Sequence, residues 1–499
     1  MKEMNFPLLS AQEAARLIKD KEVLGIGGFS SVGTPKLVPM ALAEYARELH
    51  SEGKEFKVGL ITGGAAGSLI DGALAQADAV FMRTPFQSDK DMRNSINSGK
   101  VAYFDLHLSH IGQDVRYGFL PKIDVAIIEA SDITAEGEIT LSTSVGISPT
   151  LVQQADRVIV ELNRIHRGKL KGMHDIFLLD NPPYRKEIPI YRVNDRVGSC
   201  TLKVDPKKIV AVVESEMKDR IAPFTPLNET TQRIGNNVAA FLLNEWRKGG
   251  IPKEFLPLQS GVGNVANAVL GALGEDTHLP AFSMFTEVIQ NSVIDLMMKG
   301  RISFATGSSL TLSEDKLDMM YENLDFFKER VLLRPQEITN HPEMVRRLGI
   351  IAVNTALEAD IFGNVNSTHV MGSKMMNGIG GSADFSRNAF LSIFTTPSTA
   401  KDGLISSIVP QVSHVDSTEH DVRVLVTEQG VADLRGKSPK ERAACIIENC
   451  AHPDYKELLW DYMKLSEGKA YHTPFSLKNA LKMHLAFVET GDMRNTKYE

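Results

Sequence analysis

The sequence has few cysteines and no long apolar run. Its three cysteines, Cys200, Cys445 and Cys450, are too few for a disulfide framework and lack the spacing of a metal site. They are typical of a reducing compartment, so we expect a cytoplasmic protein. The sequence contains no stretch of the roughly 20 apolar residues that a bilayer span needs, and its N-terminal segment lacks a charged stretch followed by an apolar one. We therefore expect no membrane insertion and no export.

Acidic residues, of which there are 62, outnumber the 55 lysines and arginines. The formal net charge is -7, which argues against a surface that binds nucleic acid. A local basic pocket for a phosphorylated ligand stays possible. The motif Gly-x-Ser-x-Gly does not occur, which excludes the nucleophile elbow of serine hydrolases. With 499 residues, of which 43% are hydrophobic and 23% charged, the chain is expected to form two or three globular domains.

Two further motifs fail on spacing or context. Residues 430–438 resemble a phosphate-binding loop, but five residues separate Gly430 from Gly436, whereas the motif requires four. His107 and His110 have a spacing that suits a metal ligand pair, yet no cluster of carboxylates or cysteines with metal spacing accompanies them. We therefore expect neither a nucleoside triphosphate site nor a metal site.

Strands alternate with helices along the chain, which predicts parallel sheets covered on both faces. A strand over residues 22–26 is followed by a glycine turn and by a helix over residues 34–49. Thr34 is expected to cap this helix, with Pro35 in its first turn. The next strand, over residues 56–62, ends in Gly63-Gly64. Further strands are predicted over residues 79–83, 124–129, 157–161 and 208–213.

The chain is predicted to contain two similar domains. Residues 222–226, with two prolines, suit neither a helix nor a central strand, and a long helix over residues 230–248 follows them. We place the domains at residues 1–221 and 222–499. Each begins with strand, glycine turn, helix and strand, so we expect two open parallel-sheet α/β domains in tandem, related by internal duplication. Where the first has Gly63-Gly64 at a strand end, the second has Glu287.

Glu287 has two possible roles. It ends the apolar run Leu279-Pro-Ala-Phe-Ser-Met-Phe-Thr-Glu287. A short predicted helix separates this run from the preceding glycine-rich turn, Ser260-Gly-Val-Gly-Asn-Val-Ala266. An acid about 20 residues after Gly-x-Gly-x-x-Ala holds a ribose hydroxyl in NAD-dependent oxidoreductases. A partly desolvated carboxylate is instead a nucleophile for covalent acyl transfer. Three segments that a dehydrogenase does not need favour the second role: Asn340-His-Pro-Glu343, Asn377-Gly-Ile-Gly-Gly-Ser-Ala-Asp384 and Thr427-Glu-Gln-Gly430.

With these motifs, and with Gly27-Gly28-Phe29 and residues 360–368, nearly the whole chain resembles the class I coenzyme A transferases. The resemblance is to the acetyl-CoA hydrolase/transferase group, which contains succinyl-CoA:acetate CoA-transferases. It implies an enzyme that uses coenzyme A, acyl-CoA and small carboxylates, holds no metal and forms a homodimer. The implied reaction is ping-pong transfer, with succinyl-CoA and acetate favoured, through a glutamyl-CoA thioester on Glu287.

Other activities stay open beside this expectation. Within the same class of enzymes, the alternatives are a 4-hydroxybutyrate or butyryl-CoA transferase and an acetyl-CoA hydrolase. Hydrolysis differs only in letting water reach the acylated or thioesterified glutamate, so it depends on how well the site excludes water. From another class, an NAD-dependent oxidoreductase and a non-catalytic acyl-CoA-binding protein are the alternatives.

The resemblance also implies roles for single residues. The backbone N–H groups of Val262 and Gly381 would stabilise the oxyanions, and Asn340 and Glu428 would adjoin and orient Glu287. Arg220 would meet an anionic substrate, and Lys401 the nucleotide phosphate. The coenzyme A site would comprise Gly261, Val262, Gly263, Asn264, Val265, Asn377, Gly381 and Lys401.

Each residue also has a simpler reading. Asn340 and Glu343 form a capping-box-like pair at a helix start. Glu428 alone reads as a solvated strand end, Lys401 as a surface lysine, and Arg220 as part of a charged turn.

Overall fold

The computed structural model of the protein describes residues 6–221, 227–466, 468 and 471–499. The linker predicted over residues 222–226 lies outside the described residues. The boundary between the two domains therefore stays a prediction, and the two parts are called here the first half, up to residue 221, and the second half, from residue 227.

Short, fully buried strands build the sheet of the first half. Every residue of Val23–Ile26 and Val58–Thr62 is buried, as in parallel strands covered on both faces. Within residues 6–221 the strands are β1 (Val23–Ile26), β2 (Val58–Thr62), β3 (Val80–Thr84), β4 (Ala102–Tyr103), β5 (Val125–Ile133), β6 (Glu138–Leu141), β7 (Arg157–Asn163), β8 (Leu202–Lys203) and β9 (Ile209–Ser215).

Helices cover both faces of this sheet. They are α1 (Ala11–Ala15), α2 (Leu37–Ser51), α3 (Ala73–Gln76), α4 (Lys90–Asn97), α5 (Leu108–Tyr117) and α6 (Ser148–Gln154). The parallel strands follow the order β4-β3-β2-β1-β5-β7-β9, and β6 and β8 extend from β5 in antiparallel pairing.

The start of α2 differs from the prediction. The helix begins at Leu37 rather than Thr34. The backbone N–H groups of Lys36 and Leu37 each donate to the carboxylate of Glu161, on β7, at 2.9 Å. The Thr34 carbonyl instead accepts a hydrogen bond from the Lys36 ammonium at 2.9 Å. The capping role predicted for Thr34 is wrong because a carboxylate from a distant strand satisfies the first N–H groups of the helix.

The second half repeats the alternation of strands and helices. Its helices are α7 (Glu229–Arg247), α8 (Asn264–Glu275), α9 (Asn291–Met298), α10 (Glu314–Glu322), α11 (Leu324–Lys328), α12 (Gln336–Thr339), α13 (Pro342–Leu348), α14 (Ser382–Ser386), α15 (Pro439–Cys450), α16 (Pro453–Lys464) and α17 (Lys482–Thr490). Its strands are β10 (Leu258–Ser260), β11 (Phe282–Phe285), β12 (Val288–Gln290), β13 (Ile302–Gly307), β14 (Ser309–Thr311), β15 (Val331–Leu333), β16 (Ile351–Thr355), β17 (Glu358–Asp360), β18 (Val365–Asn366), β19 (His369–Val370), β20 (Lys374–Met375), β21 (Leu391–Thr395), β22 (Thr399–Ala400), β23 (Ile405–Ser406), β24 (Ile408–Val409), β25 (Val424–Thr427) and β26 (Gly430–Asp433).

The two main sheets share one strand order. In the second half the order is β15-β13-β11-β10-β16-β21-β25, all parallel, with β26 added antiparallel at the edge. The first strand of each half is central, the next three parallel strands lie on one side, and the last three lie on the other. The expectation of two similar parallel-sheet α/β units is confirmed. In this correspondence β11, which precedes Glu287, matches β2, which precedes Gly63-Gly64.

The two halves pack directly against each other. Backbone hydrogen bonds join them, from the Val145 N–H to the Ser308 carbonyl at 2.9 Å and from the Leu310 N–H to the Thr143 carbonyl at 2.8 Å. The largest apolar cluster of the molecule takes buried side chains from both sheets. The contact between the halves therefore includes the residues that follow β13, and one of these, Ser308, donates its N–H to the Glu287 carbonyl beyond β11.

Candidate active site

Glu287 lies just beyond the carboxyl end of β11. Its backbone carbonyl accepts hydrogen bonds from the N–H groups of Ser308, at 2.7 Å, and Ser309, at 3.2 Å. The hydroxyl of the preceding residue, Thr286, donates to the Ser260 carbonyl at 3.2 Å. These bonds fix the backbone of Glu287 at the carboxyl edge of the sheet, where parallel α/β sheets form their ligand sites.

A cavity of about 240 Å³ opens onto Glu287, and both halves contribute to it. Glycines, apolar side chains and short polar ones form its wall. Among the described residues that line it, Glu287 is the one ionisable side chain. The others are Phe29, Ser30, Gly64, Ala65, Phe86, Leu108, Gly261, Val262, Val288, Asn354, Thr355, Ser367 and residues 377–382.

Asn340 orients the carboxylate of Glu287. Its side-chain amide donates a hydrogen bond to Glu287 Oε1, and the Thr339 hydroxyl donates to Asn340 Oδ1 at 2.9 Å. The second bond holds the amide with its NH₂ group toward the glutamate. The capping reading of Asn340 is wrong, because α13 is capped by His341, whose Nδ1 accepts from the Glu343 N–H at 3.2 Å.

The surroundings of Glu287 raise the pKa of its carboxyl group to about 7. Removal from water is the main cause, since the group is enclosed by protein except toward the cavity. The Asn340 hydrogen bond lowers the pKa, and the negative charge of Asp384 raises it. A weakly solvated carboxylate is a better nucleophile than one on the open surface.

The turn over residues 377–381 is held in place by the first half. The Tyr103 hydroxyl donates to the Asn377 carbonyl, and the Ile379 N–H donates to Asp105 Oδ2 at 2.7 Å. A Cβ atom on Gly381 would overlap the Glu287 carboxylate and the Asn340 amide. Glycine at 381 therefore lets the backbone approach the carboxylate more closely than any other residue allows.

The second glycine turn faces the same cavity. Gln290 fixes it, because its amide donates to the Gly261 carbonyl at 2.9 Å and accepts from the Gly263 N–H at 3.3 Å. Gly263 has φ +114°, a conformation that favours glycine. Val262 is 53% exposed and lines the cavity with Gly261. Asn264 opens α8, and Val265 follows it on that helix, beyond the described lining.

The structure does not bring Glu428 to Glu287. The Ser398 N–H donates to Glu428 Oε2 at 2.8 Å, and the Gln429 amide also donates to this carboxylate. Glu428 follows β25, which is four strands from β11 in the sheet order, or about 19 Å at the usual strand spacing. Its predicted adjacency to Glu287 is therefore not found.

Lys401 and Arg220 also lie outside the described lining of the cavity. Lys401 is exposed in the hairpin of β22 and β23, with its Nζ 4.9 Å from the centre of the Phe487 ring. Arg220 is exposed, next to Asp219, whose carboxylate pairs with the buried Lys36 at 2.9 Å. Their predicted contacts with the nucleotide and with an anionic substrate stay predictions.

The two motifs rejected on spacing or context have ordinary structural roles. Gly430 opens the edge strand β26, and α15 begins only at Pro439, so the first glycine of the motif belongs to a strand and not to a loop before a helix. The rings of His107 and His110 meet edge to face, with centroids 5.5 Å apart. Among the described residues, no group of three or more histidine, cysteine or acidic side chains is placed to hold a metal ion.

Several residues at the site were not predicted. Phe29, Phe86, Leu108 and Val288 form an apolar cluster beside Glu287. Asp384 lies behind Asn340, within a motif quoted for the resemblance, but without an assigned role. The glycine turn that contains Phe29 is recognisable in the sequence. Phe86 and Leu108 belong to no such motif, and only the folding of the chain places them at the cavity.

The comparisons with known proteins decide between the two classes of enzyme that the Gly261 turn left open. Two family models match the chain, the acetyl-CoA hydrolase/transferase N-terminal domain over residues 2–214 and the C-terminal domain over residues 317–463. The chain belongs to the acetyl-CoA hydrolase/transferase family. It is therefore an enzyme of this family rather than an NAD-dependent oxidoreductase, and the resemblance seen in the sequence is confirmed.

Curated relatives match over nearly the whole chain. A succinyl-CoA:acetate CoA-transferase of Clostridium kluyveri is 49% identical over 98% of this chain and 90% of its own length. A propanoyl-CoA:succinate CoA transferase of Escherichia coli is 47% identical over 98% of this chain and 99% of its own. An acetyl-CoA hydrolase of Saccharomyces cerevisiae is 44% identical over 98% of this chain and 95% of its own. Transferases and hydrolases thus share this scaffold.

A solved structure supports the fold. RipA from Yersinia pestis is 22% identical to this chain, with a TM-score of 0.70 over 91% of this chain and 96% of that one. At this identity the likeness concerns the fold alone. In the described part of this enzyme, no helix combines the length and the apolar character that crossing a bilayer requires.

Proposed function

We propose that this enzyme transfers coenzyme A from succinyl-CoA to acetate through a covalent intermediate on Glu287. The observation that carries the proposal is the placement of Glu287. It is the one ionisable side chain among the described lining of a cavity between two glycine turns, and it accepts a hydrogen bond from the buried Asn340. The choice of substrates follows the relative that is 49% identical.

The reaction proceeds by exchange of bonds at two carbonyl carbons. A carboxylate oxygen of Glu287 attacks the acyl-CoA carbonyl, the C–S bond breaks, and CoA leaves as a thiolate, forming an acyl-glutamyl anhydride. The thiolate attacks the glutamyl carbonyl, and the first carboxylate leaves, forming the glutamyl-CoA thioester. Acetate reverses these two steps. The thioester energy is conserved, and ping-pong kinetics follow.

No step requires a proton transfer, because each nucleophile and each leaving group is an anion. This matches the cavity, whose described lining offers no second acid and no basic side chain. Each step passes through a tetrahedral oxyanion, which preorganised N–H donors stabilise. The backbone N–H groups of Val262 and Gly381 are our proposed donors, since both residues line the cavity beside Glu287.

The same lining favours transfer over hydrolysis. Water must lose a proton to attack the glutamyl-CoA thioester, and a general base contributes typically 10²–10⁴-fold to such a step. Glu287 cannot serve as that base while it carries the thioester. The described lining provides no other candidate, so carboxylate acceptors, which need no base, should outcompete water.

The cavity suits a small acyl group. Phe29, Phe86, Leu108 and Val288 offer apolar surface to a methyl group beside Glu287. At about 240 Å³ the cavity holds the thioester end of the donor, since sites for whole drug-sized ligands are about 300–1,000 Å³. The nucleotide must lie outside it. We propose that residues 261–265 and Asn377 contact the pantetheine arm and that Lys401 meets a phosphate.

Steady-state kinetics with a panel of acceptors tests this function. The acceptors are acetate, succinate, butyrate, 4-hydroxybutyrate and water, each with succinyl-CoA, propanoyl-CoA and acetyl-CoA as donors. We expect parallel lines in double-reciprocal plots, the highest kcat/KM for succinyl-CoA with acetate, and negligible turnover with water. A higher rate with water than with any carboxylate would identify an acetyl-CoA hydrolase instead, and a preference for butyrate or 4-hydroxybutyrate would reassign the acceptor.

The remaining expectations stay proposals of the same account. We infer a homodimer, as the resemblance implies, and a cytoplasmic location, from the few cysteines of the sequence. Light scattering measures the oligomeric state. We also propose that the two halves close over bound coenzyme A, which would bring the exposed Arg220 toward the anionic substrate. Scattering that showed no compaction on adding CoA would count against such closure.

A further inference from the structure

The amide of Asn340 is shared by two carboxylates. It donates to Glu287 Oε1 and lies 3.4 Å from Asp384 Oδ2. Asp384 is 5% exposed and belongs to α14, immediately after the glycine turn that contains Gly381. An amide NH₂ group has two hydrogens, so one can point at each carboxylate. The position of Asp384 therefore limits how the amide can turn toward Glu287.

Asp384 is itself held by the other half of the molecule. The Ser109 N–H donates to Asp384 Oδ2 at 3.0 Å, and the Ser109 hydroxyl donates to Oδ1 at 2.6 Å. Ser109 is 3% exposed and lies in the first turn of α5, which packs against α12. A continuous series of hydrogen bonds, buried up to the cavity, thus runs from Ser109 through Asp384 and Asn340 to Glu287.

Two histidines lie beside this series. His107 Nδ1 lies 3.9 Å from Asp384 Oδ1, and the charge of His110 lowers the pKa of Asp384. Burial raises the pKa of Asp384 to about 6, and its bonds to Ser109 lower it. The negative charge of Asp384 in turn raises the pKa of Glu287.

We propose that Ser109 and Asp384 are positioning residues for the nucleophile, which act on Glu287 through the Asn340 amide. The first half, which carries no nucleophile, thereby orients the nucleophile of the second half. The inference rests on the proposed role of Glu287 as nucleophile. It predicts that disturbing the pair slows formation of the covalent intermediate and leaves CoA affinity unchanged, since a misplacement of about 1 Å can cost about 10²-fold in rate.

The test compares Asp384→Asn, Ser109→Ala and Ser109→Thr in a single-turnover reaction with acyl-CoA and no acceptor. The readouts are the rate at which the hydroxylamine-sensitive CoA adduct forms, the Kd for CoA and the pH dependence of kcat/KM. Ser386→Ala is the matched control, because Ser386 is a buried serine on the same α14 whose hydroxyl has no hydrogen-bond partner among the described residues.

We expect Asp384→Asn to slow adduct formation by about 10–10²-fold, consistent with the cost of misplacing a reacting group. The fall of kcat/KM at acidic pH should occur at a lower pH in this variant, because the negative charge that opposes ionisation of Glu287 is gone. Ser109→Ala should change both readouts in the same direction, and Ser109→Thr should restore them. A purely structural role does not predict this shift to lower pH.

Two results separate the claims. If the wild-type enzyme forms the adduct and Ser109→Ala and Asp384→Asn form it at the rate of Ser386→Ala, the positioning role is refuted and the nucleophile stands. If the wild type turns over without an adduct on Glu287, the proposed function itself fails. Should Asp384→Asn not fold, the difference between Ser109→Ala and Ser109→Thr decides the positioning role alone.

Discussion

The side-chain amide of Asn340 donates a hydrogen bond to Glu287 Oε1, and the hydroxyl of Thr339 holds that amide in the donating orientation. A carboxylate that attacks a carbonyl must present one oxygen in a defined direction. The bond from Asn340 restricts the rotation of the Glu287 side chain while the other oxygen stays available. It also stabilises the ionised form, which is the nucleophilic one.

Replacing the nucleophile should stop the reaction without unfolding the site. Glu287→Gln keeps the size of the side chain and its hydrogen bond from Asn340, but the glutamine amide cannot attack the acyl-CoA carbonyl to form the anhydride. We expect kcat to fall by more than about 10³-fold, as for other nucleophile deletions, while isothermal titration shows unchanged CoA binding. Glu275→Gln, at the exposed end of α8, is the control and should be fully active. Equal activities of the two variants would refute the assignment.

The pH dependence follows from the pKa of Glu287, which is raised to about 7. Only the carboxylate attacks, so kcat/KM should be constant above this pH and fall tenfold per unit below it. The Asn340 hydrogen bond lowers the pKa, so Asn340→Ala should move the limb to higher pH as well as reduce the rate. A pH profile from 5 to 9, as a rough range around this pKa, measures both. An unmoved limb in Asn340→Ala would contradict the contact.

The glycine at 381 should tolerate no side chain. A Cβ there would overlap the Glu287 carboxylate, so Gly381→Ala displaces the reacting group and should lower kcat by more than about 10²-fold. Gly271→Ala is the matched control, since Gly271 is exposed on α8 and a Cβ there meets no atom within 4 Å. Activity should be unchanged in the control, and its stability should rise by about 0.5–1 kcal/mol. Circular dichroism confirms that both variants fold.

A buried ion pair should stabilise the first half. The Lys36 ammonium, 1% exposed, lies 2.5 Å from Glu129 Oε2 and 2.9 Å from Asp219 Oδ1. Lys36→Met leaves two buried carboxylates without their cation, which should lower the free energy of unfolding by about 3–5 kcal/mol. Urea denaturation measures the loss. Lys54→Met breaks a pair of exposed side chains and should leave the urea midpoint unchanged; equal effects would contradict the buried pair's importance.

Much of the fold was predictable because strands and glycine turns leave local signals. The strand predicted over residues 56–62 and the helix predicted over residues 230–248 match Val58–Thr62 and Glu229–Arg247 closely. The start of α2 was not predictable, since Glu161, distant in the sequence, replaces the local cap. Strand order leaves no local signal either, and it is the strand order that separates Glu428 from Glu287.

The site was predicted to the extent that its residues sit in recognisable motifs. Glu287, Asn340 and Gly381 were named from the sequence, and the structure brings them into contact. Ser109 and Asp105 were not named, because each acts on the second half from a helix or loop of the first. Such contacts depend on how the two halves pack against each other. The periodicity of apolar residues in the sequence predicts strands and helices but not this packing.

Mass spectrometry of the enzyme incubated with acyl-CoA in the absence of an acceptor tests the central claim most directly. We predict that the peptide containing Glu287 gains the mass of CoA and loses it on treatment with hydroxylamine, while Glu287→Gln remains unlabelled. Turnover at the normal rate with no adduct on that peptide, or an adduct on a different residue, would contradict the account.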